Sequence, residues 1–105
     1  MGLILMKRGT CRNISLLNAQ KLLETKKIYI IDVRDKEEFF ANNIKKSVNI
    51  PVANIKRDIK KVVKNKNEKI IVYCSTGVRS VVACQILADM GYKNVYNIST
   101  GVKFK

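Results

Sequence analysis

A short apolar run that ends on a cysteine and passes within a few residues into a helical repeat leaves a chain few ways to fold. Ile70-Ile71-Val72-Tyr73 reads as a buried strand, and Cys74 closes it. Ser75-Thr76-Gly77-Val78-Arg79-Ser80 forms a loop with one glycine, and Val81 to Met90 carries apolar residues at helical spacing. The strand therefore delivers Cys74 to the mouth of a helix N-terminus. Unpaired backbone N–H groups and the positive end of the helix dipole meet there. A thiol in that position is biased toward its anion, and Arg79 adds a full positive charge five positions along. The stretch is a candidate nucleophile site.

The rest of the chain fits around it. Ser15 or Asn18 can cap a helix whose apolar face is Leu16, Leu17, Ala19, Leu22 and Leu23. Ile28 to Val33 is a β-branched run, a strand buried on both faces. A short helix is expected from about Lys36 to Ala41, and then a turn at Asn42-Asn43, where asparagine tolerates the left-handed conformation. Ser47 to Ile50 is a short strand stopped by Pro51. Ile55, Ile59, Val62 and Val63 mark a lysine-faced helix. Gly91 reads as a helix C-cap, and Val95 to Ile98 as the last strand. Strands alternating with helices imply crossovers, hence an α/β fold with a mainly parallel central sheet of about five strands and helices on both faces. Sites in such folds lie at the carboxyl ends of strands, where both Asp32-Val33-Arg34 and Cys74 fall. Residues 1–12 are expected to be an N-terminal segment or edge strand, and residues 13–105 a single domain.

Composition narrows the chemistry. The chain has 105 residues and no histidine, which excludes imidazole-activated nucleophiles. Cys11, Cys74 and Cys84 make an odd count with no zinc-like spacing. No disulfide is expected, because a domain of this size can stand on its own core. Cys84 is expected to pack as a small core residue, with resolution of an oxidised or persulfurated Cys74 as the alternative, and Cys11 to be an exposed thiol without function. No apolar run approaches the ~20 residues that a membrane span needs, and the apolar part of Met1 to Arg8 is short for a secretory signal. A cytoplasmic protein without membrane contact is the expectation. The net charge of +13 gathers at Lys56, Arg57, Lys60, Lys61, Lys64, Lys66 and Lys69. With no stacking aromatics or nucleic-acid motif nearby, a solvated face that draws in small anions is preferred to a nucleic-acid surface.

Three boxes in order make the chain resemble a single-domain rhodanese-type sulfurtransferase, over nearly everything from Ile14 to Gly101. The first is Ile31-Asp32-Val33-Arg34 with Glu38-Phe39, Ile44 and Asn49-Ile50-Pro51. The second is Cys74 to Ser80, and the third is Gly91 to Ile98. Asn42-Asn43 stand where the family usually has Gly-His, Lys46-Ser47 where Gly-Ala is common, and Thr100-Gly101 for Gly-Gly.

The resemblance implies a rhodanese-like fold and sulfur transfer through a persulfide on Cys74, from thiosulfate or another sulfane donor to cyanide, a thiol or a protein thiol. It requires no metal or organic cofactor. Cys74 and Arg79 are the expected catalytic residues, and Ser75, Thr76, Gly77, Val78 and Ser80 the substrate-binding loop. Asp32 and Arg34 are candidates to support it from behind, with an Arg34–Glu38 pair expected to be structural. Related phosphatases and arsenate reductases, by the same resemblance, place five residues between cysteine and arginine. Four intervene here, and the tighter loop suits one sulfur atom. A non-catalytic sulfur-carrier, redox or regulatory binding module on the same fold is the alternative. The physiological donor and acceptor, and the oligomeric state, are not legible in the residues.

Overall fold

The computed structural model describes residues 9–25 and 27–104. Its elements are β1 (Thr10–Ile14), α1 (Leu16–Thr25), β2 (Tyr29–Asp32), α2 (Lys36–Ala41), β3 (Val48–Asn49), α3 (Ile55–Val62), β4 (Lys69–Tyr73), α4 (Val78–Asp89) and β5 (Asn94–Ile98), with a 3₁₀ turn over Val52–Asn54. The five strands form one sheet in the order β1-β5-β4-β2-β3, and every pairing is parallel. Residues 1–8 lie outside the described residues, and the edge strand of the sheet is Thr10–Ile14.

Why the central strands are apolar at every position follows from the layers. Ile30, Ile71, Tyr73 and Ile98 point to one face and pack with Ala19 of α1. Their neighbours Ile31, Ile70, Val72 and Val95 point to the other and meet Ile55 and Ile59 of α3 and Ala83, Cys84 and Leu87 of α4. The period-2 alternation thus buries both sets. α1 carries the chain from the β1 edge across to β2, while α3 and α4 bring it back over the opposite face. The reversal places the carboxyl ends of β2 and β4 side by side, the usual place for a site in an open parallel sheet.

Two expectations need correction. Cys11 and Cys84 are joined in a disulfide with their Cα atoms 5.5 Å apart. Parallel pairing of β1 with β5 lays the edge strand against α4, so residues 73 apart in sequence meet in the core. Cys84 is buried as expected, but as half of a bridge and not as a free side chain or a resolving thiol. The turn after α2 also differs. Asn42 is extended, and the left-handed residue is Lys46, with φ 71°. Asn42 is occupied otherwise, its N–H donating to Glu38 O and its carbonyl accepting from Arg34.

Candidate active site

β4 ends at Tyr73, and the chain rises into the loop Cys74 to Gly77 before α4 begins at Val78, three residues earlier than periodicity alone suggests. Gly77 is the helix N-cap, at φ 88°. A side chain there would be strained by that angle and would collide with the carbonyl of Ser99. The turn after β5 thus braces the loop from below. Gly101 likewise has its Cα against the Ser75–Thr76 peptide, and Val102 N–H donates to Cys74 O at 2.9 Å.

Cys74 is fully buried, and its sulfur is the centre of a small set of donors. The N–H groups of Gly77 and Ser80 reach Sγ at 3.1 Å and 3.3 Å, and the Ser80 hydroxyl stands 3.3 Å away. Burial pushes the thiol pKa up. The Ser80 hydroxyl and the N–H groups of Ser80, Thr76 and Gly77 outweigh it and hold the thiol below its ordinary value. Of the three cysteines it is the free one.

Arg79 ties the loop to a carboxylate. Both arms of its guanidinium grip Glu38, at 2.6 Å and 3.1 Å, and one also donates to Ser75 Oγ at 3.0 Å. The pair ties α2 to the loop. Glu38 also closes the capping box of α2 by accepting the Asp35 N–H. The Arg79 hydrogen bond holds its carboxyl down at about 2, so the pair is ionised throughout the neutral range. Arg34 pairs with Asp32, not with Glu38: Nε and Nη2 donate to the buried carboxylate at 3.1 Å and 2.8 Å. Its guanidinium also lies over the Phe104 ring, 4.7 Å from the centroid. Asn49 ties this support to β3 by donating to the carbonyls of Asp32 and Arg34.

The predicted residues therefore divide. Gly77 and Ser80 converge on the sulfur, and the Thr76 N–H adds to them. Ser75 and Arg79 lock the loop, whereas Val78 is exposed on the first turn of α4. Asp32 and Arg34 form a buried pair behind it. Arg34, Ser75, Thr76, Val102, Lys103 and Phe104 line an open cavity of about 310 Å³ beside the loop, a mouth to which Cys74 itself contributes no lining. The role of Lys103 and Phe104 escaped sequence reasoning, because nothing local marks a tail residue that folds back on the loop. Glu38 stands in the first box read from the sequence, but its partner is Arg79 and not the Arg34 expected there.

The rhodanese-like domain family model matches residues 15–103. The chain belongs to the rhodanese-like domain family. Thiosulfate sulfurtransferase PspE of Escherichia coli is 39% identical over 67 residues, which span 64% of this chain and 64% of that protein. Thiosulfate sulfurtransferase GlpE of Coxiella burnetii is 31% identical over 90 residues, 86% of this chain and 82% of the relative. Among solved structures, a rhodanese-like domain protein of Staphylococcus aureus superposes with a TM-score of 0.73 at 31% identity, covering 86% of each chain. Within this rhodanese-like domain, no described helix is long and apolar enough to cross a membrane. No group of three or more potential metal ligands occurs among the described residues.

Proposed function

We propose that this protein is a sulfurtransferase that carries a sulfane sulfur on Cys74. The observation that supports this most is the pair of N–H donors on Sγ, Gly77 at 3.1 Å and Ser80 at 3.3 Å, with the Ser80 hydroxyl 3.3 Å away, accepting from the thiol and free to turn and donate to the thiolate. Donors at that spacing stabilise a sulfur anion before and after transfer, as an oxyanion hole stabilises oxygen. The relatives named thiosulfate sulfurtransferases point the same way.

In this mechanism the Cys74 thiolate attacks the outer sulfur of thiosulfate or a persulfide donor. The donor's S–S bond breaks, and sulfite or the donor thiolate leaves with the electron pair. A persulfide remains on Cys74. Cyanide, a thiol or a protein thiol then attacks the outer sulfur, and Cys74 departs as thiolate. Ping-pong kinetics follow from the covalent intermediate. The N–H groups of Thr76, Gly77 and Ser80 hold the anion, Ser75 and Arg79 fix the loop, and the Asp32–Arg34 pair supports the mouth. The four-residue spacing between Cys74 and Arg79 leaves a cradle sized for one sulfur rather than a tetrahedral oxyanion. A cytoplasmic setting sits less easily with the Cys11–Cys84 bridge than an oxidising compartment does.

The test is thiocyanate formation from thiosulfate and cyanide. Cys74→Ser should lose it by at least about a thousandfold while keeping the native fold by circular dichroism, since a hydroxyl cannot form the persulfide. Turnover retained in that variant contradicts the assignment.

A further inference from the structure

Three cations stand at the loop and its mouth, and two of them are already paired. Glu38 holds Arg79, and Asp32 holds Arg34. Lys103 lines the mouth and forms no ion pair among the described residues. The backbone that carries it is fixed on both sides. Val102 N–H donates to Cys74 O at 2.9 Å, and the Phe104 ring lies over the Arg34 guanidinium. Val102 and Phe104 also pack into the α1-face cluster, where Leu16, Ala19, Ile71 and Ile98 line an apolar hollow of about 250 Å³. Lys103 between them stays exposed. The polar groups beside it are donors. Arg34 is 5% exposed, and Asp32 and Asn42 take its Nε and Nη2, so Nη1 is the arm that neither takes. Ser75 Oγ accepts from Arg79, which leaves its own proton to donate. Thr76 adds an exposed hydroxyl, and no carboxylate lines the cavity. A pocket of that make-up suits an oxyanion.

We propose that Lys103, helped by Arg34 Nη1 and the Ser75 and Thr76 hydroxyls, binds the oxyanion end of the sulfur donor and selects donors that have one. The tail lysine thus takes the part that the charge of Arg79 alone would suggest for the loop arginine, whose guanidinium is spent on Glu38. The proposal rests on the sulfur-transfer reading and names the residue that discriminates among its first substrates. Ser75 and Thr76 follow Cys74 directly, with successive Cα atoms about 3.8 Å apart. A small donor therefore keeps its oxygens at the mouth while its outer sulfur meets the N–H groups of the loop. The Cys74 thiolate attacks that outer sulfur, the S–S bond breaks, and its electron pair leaves with sulfite. Negative charge grows on the departing group, so its contact with Lys103 strengthens as the bond breaks. A persulfide whose other end is an alcohol leaves as a thiolate and brings no oxyanion to the mouth. No oxidant or reductant enters.

The experiment compares enzyme-dependent kcat/KM for two donors, thiosulfate and mercaptoethanol persulfide, with cyanide as the acceptor. Lys103→Gln should lower the ratio of the thiosulfate value to the persulfide value about tenfold, the effect of one charge-assisted hydrogen bond at an exposed position. Lys103→Glu should lower it further. Lys103→Arg, which keeps the charge, should bring the ratio back to within about threefold of the wild type. Sulfate supplies a readout without turnover. In the Cys74→Ser protein it should shift the amide resonances of Ser75, Thr76 and Lys103, and adding Lys103→Gln should abolish the shifts. A ratio unchanged in both Lys103→Gln and Lys103→Glu overturns the proposal, while wild-type turnover leaves sulfur transfer standing. Equal losses with the two donors assign Lys103 to support of the loop and overturn it as well. Sulfate shifts with no turnover of either donor by the wild type keep an anion site but overturn its assignment to a sulfur donor, and sulfur transfer fails with it.

Discussion

Ser80 touches the Cys74 sulfur twice, through its N–H and its hydroxyl, and only the second contact can be removed without disturbing the helix. Ser80→Ala should therefore separate loop geometry from thiolate stabilisation. Cys74 is held below the ordinary thiol pKa, so the thiolate is populated as pH rises through that lowered value. Losing the hydroxyl moves the inflection upward. At pH 7 thiosulfate cleavage should fall about tenfold, the worth of one charge-assisted hydrogen bond, and recover at alkaline pH. An unshifted pH profile would show that the backbone donors suffice. At this scale the sequence made Cys74 legible, because a strand, a cysteine and a helix start are all local patterns. The work of Arg79 was less legible. Its charge allowed both an anion ligand and a tie between the loop and a nearby carboxylate, but the carboxylate that occupies it, Glu38, lies on another helix and is 41 residues away.

The helix α4 carries the loop at one end and the Cys84 half of the disulfide two turns further on. Edge strand β1 is joined to the rest by one ladder with β5 and by this bridge. Replacing Cys11 and Cys84 together by alanine should lower unfolding stability by about 2–4 kcal/mol, as expected when a long loop is no longer closed. Denaturant melts of the variant and of the oxidised wild type check this. Thiosulfate cleavage in the folded variant should be close to wild type, since neither sulfur contacts the loop donors. The α2 boundaries matched the expected Lys36–Ala41 because an Asp35 cap and a Glu37-Glu38 first turn announce its start. β1 was harder to see, since Thr10-Cys11-Arg12-Asn13-Ile14 has the mixed composition of an edge strand and no apolar run. The disulfide was missed for the same reason: only the tertiary pairing of that strand brings Cys11 to α4.

For the molecule as a whole, the parallel sheet with a free cysteine over its carboxyl edge was legible, because apolar runs and helical repeats alternate along the chain. The hollow beneath α1 was not, since its walls come from four separate elements, the turn after α2 and residues 102–104. Charge is the other property of the whole. On α3, Asp58 engages Arg57 at 2.8 Å and Lys61 at 3.4 Å, while Lys60 and Lys64 stay exposed. None of these lysines is among the residues that contact the sulfur, and the expectation is that they act through the field. Lys60→Glu with Lys64→Glu should lower kcat/KM for thiosulfate about twofold to threefold at low salt and leave kcat unchanged. The loss should disappear as the screening length drops below roughly 8 Å. A defect in kcat that salt does not alter would place them in a partner surface. The central claim is the persulfide itself, and intact-mass spectrometry of the non-reduced protein after brief exposure to thiosulfate tests it most directly. A gain of one sulfur atom is expected, mapped to Cys74, absent in Cys74→Ser and removed by cyanide with release of thiocyanate. An unchanged mass, or an added sulfur that persists in Cys74→Ser, would contradict it.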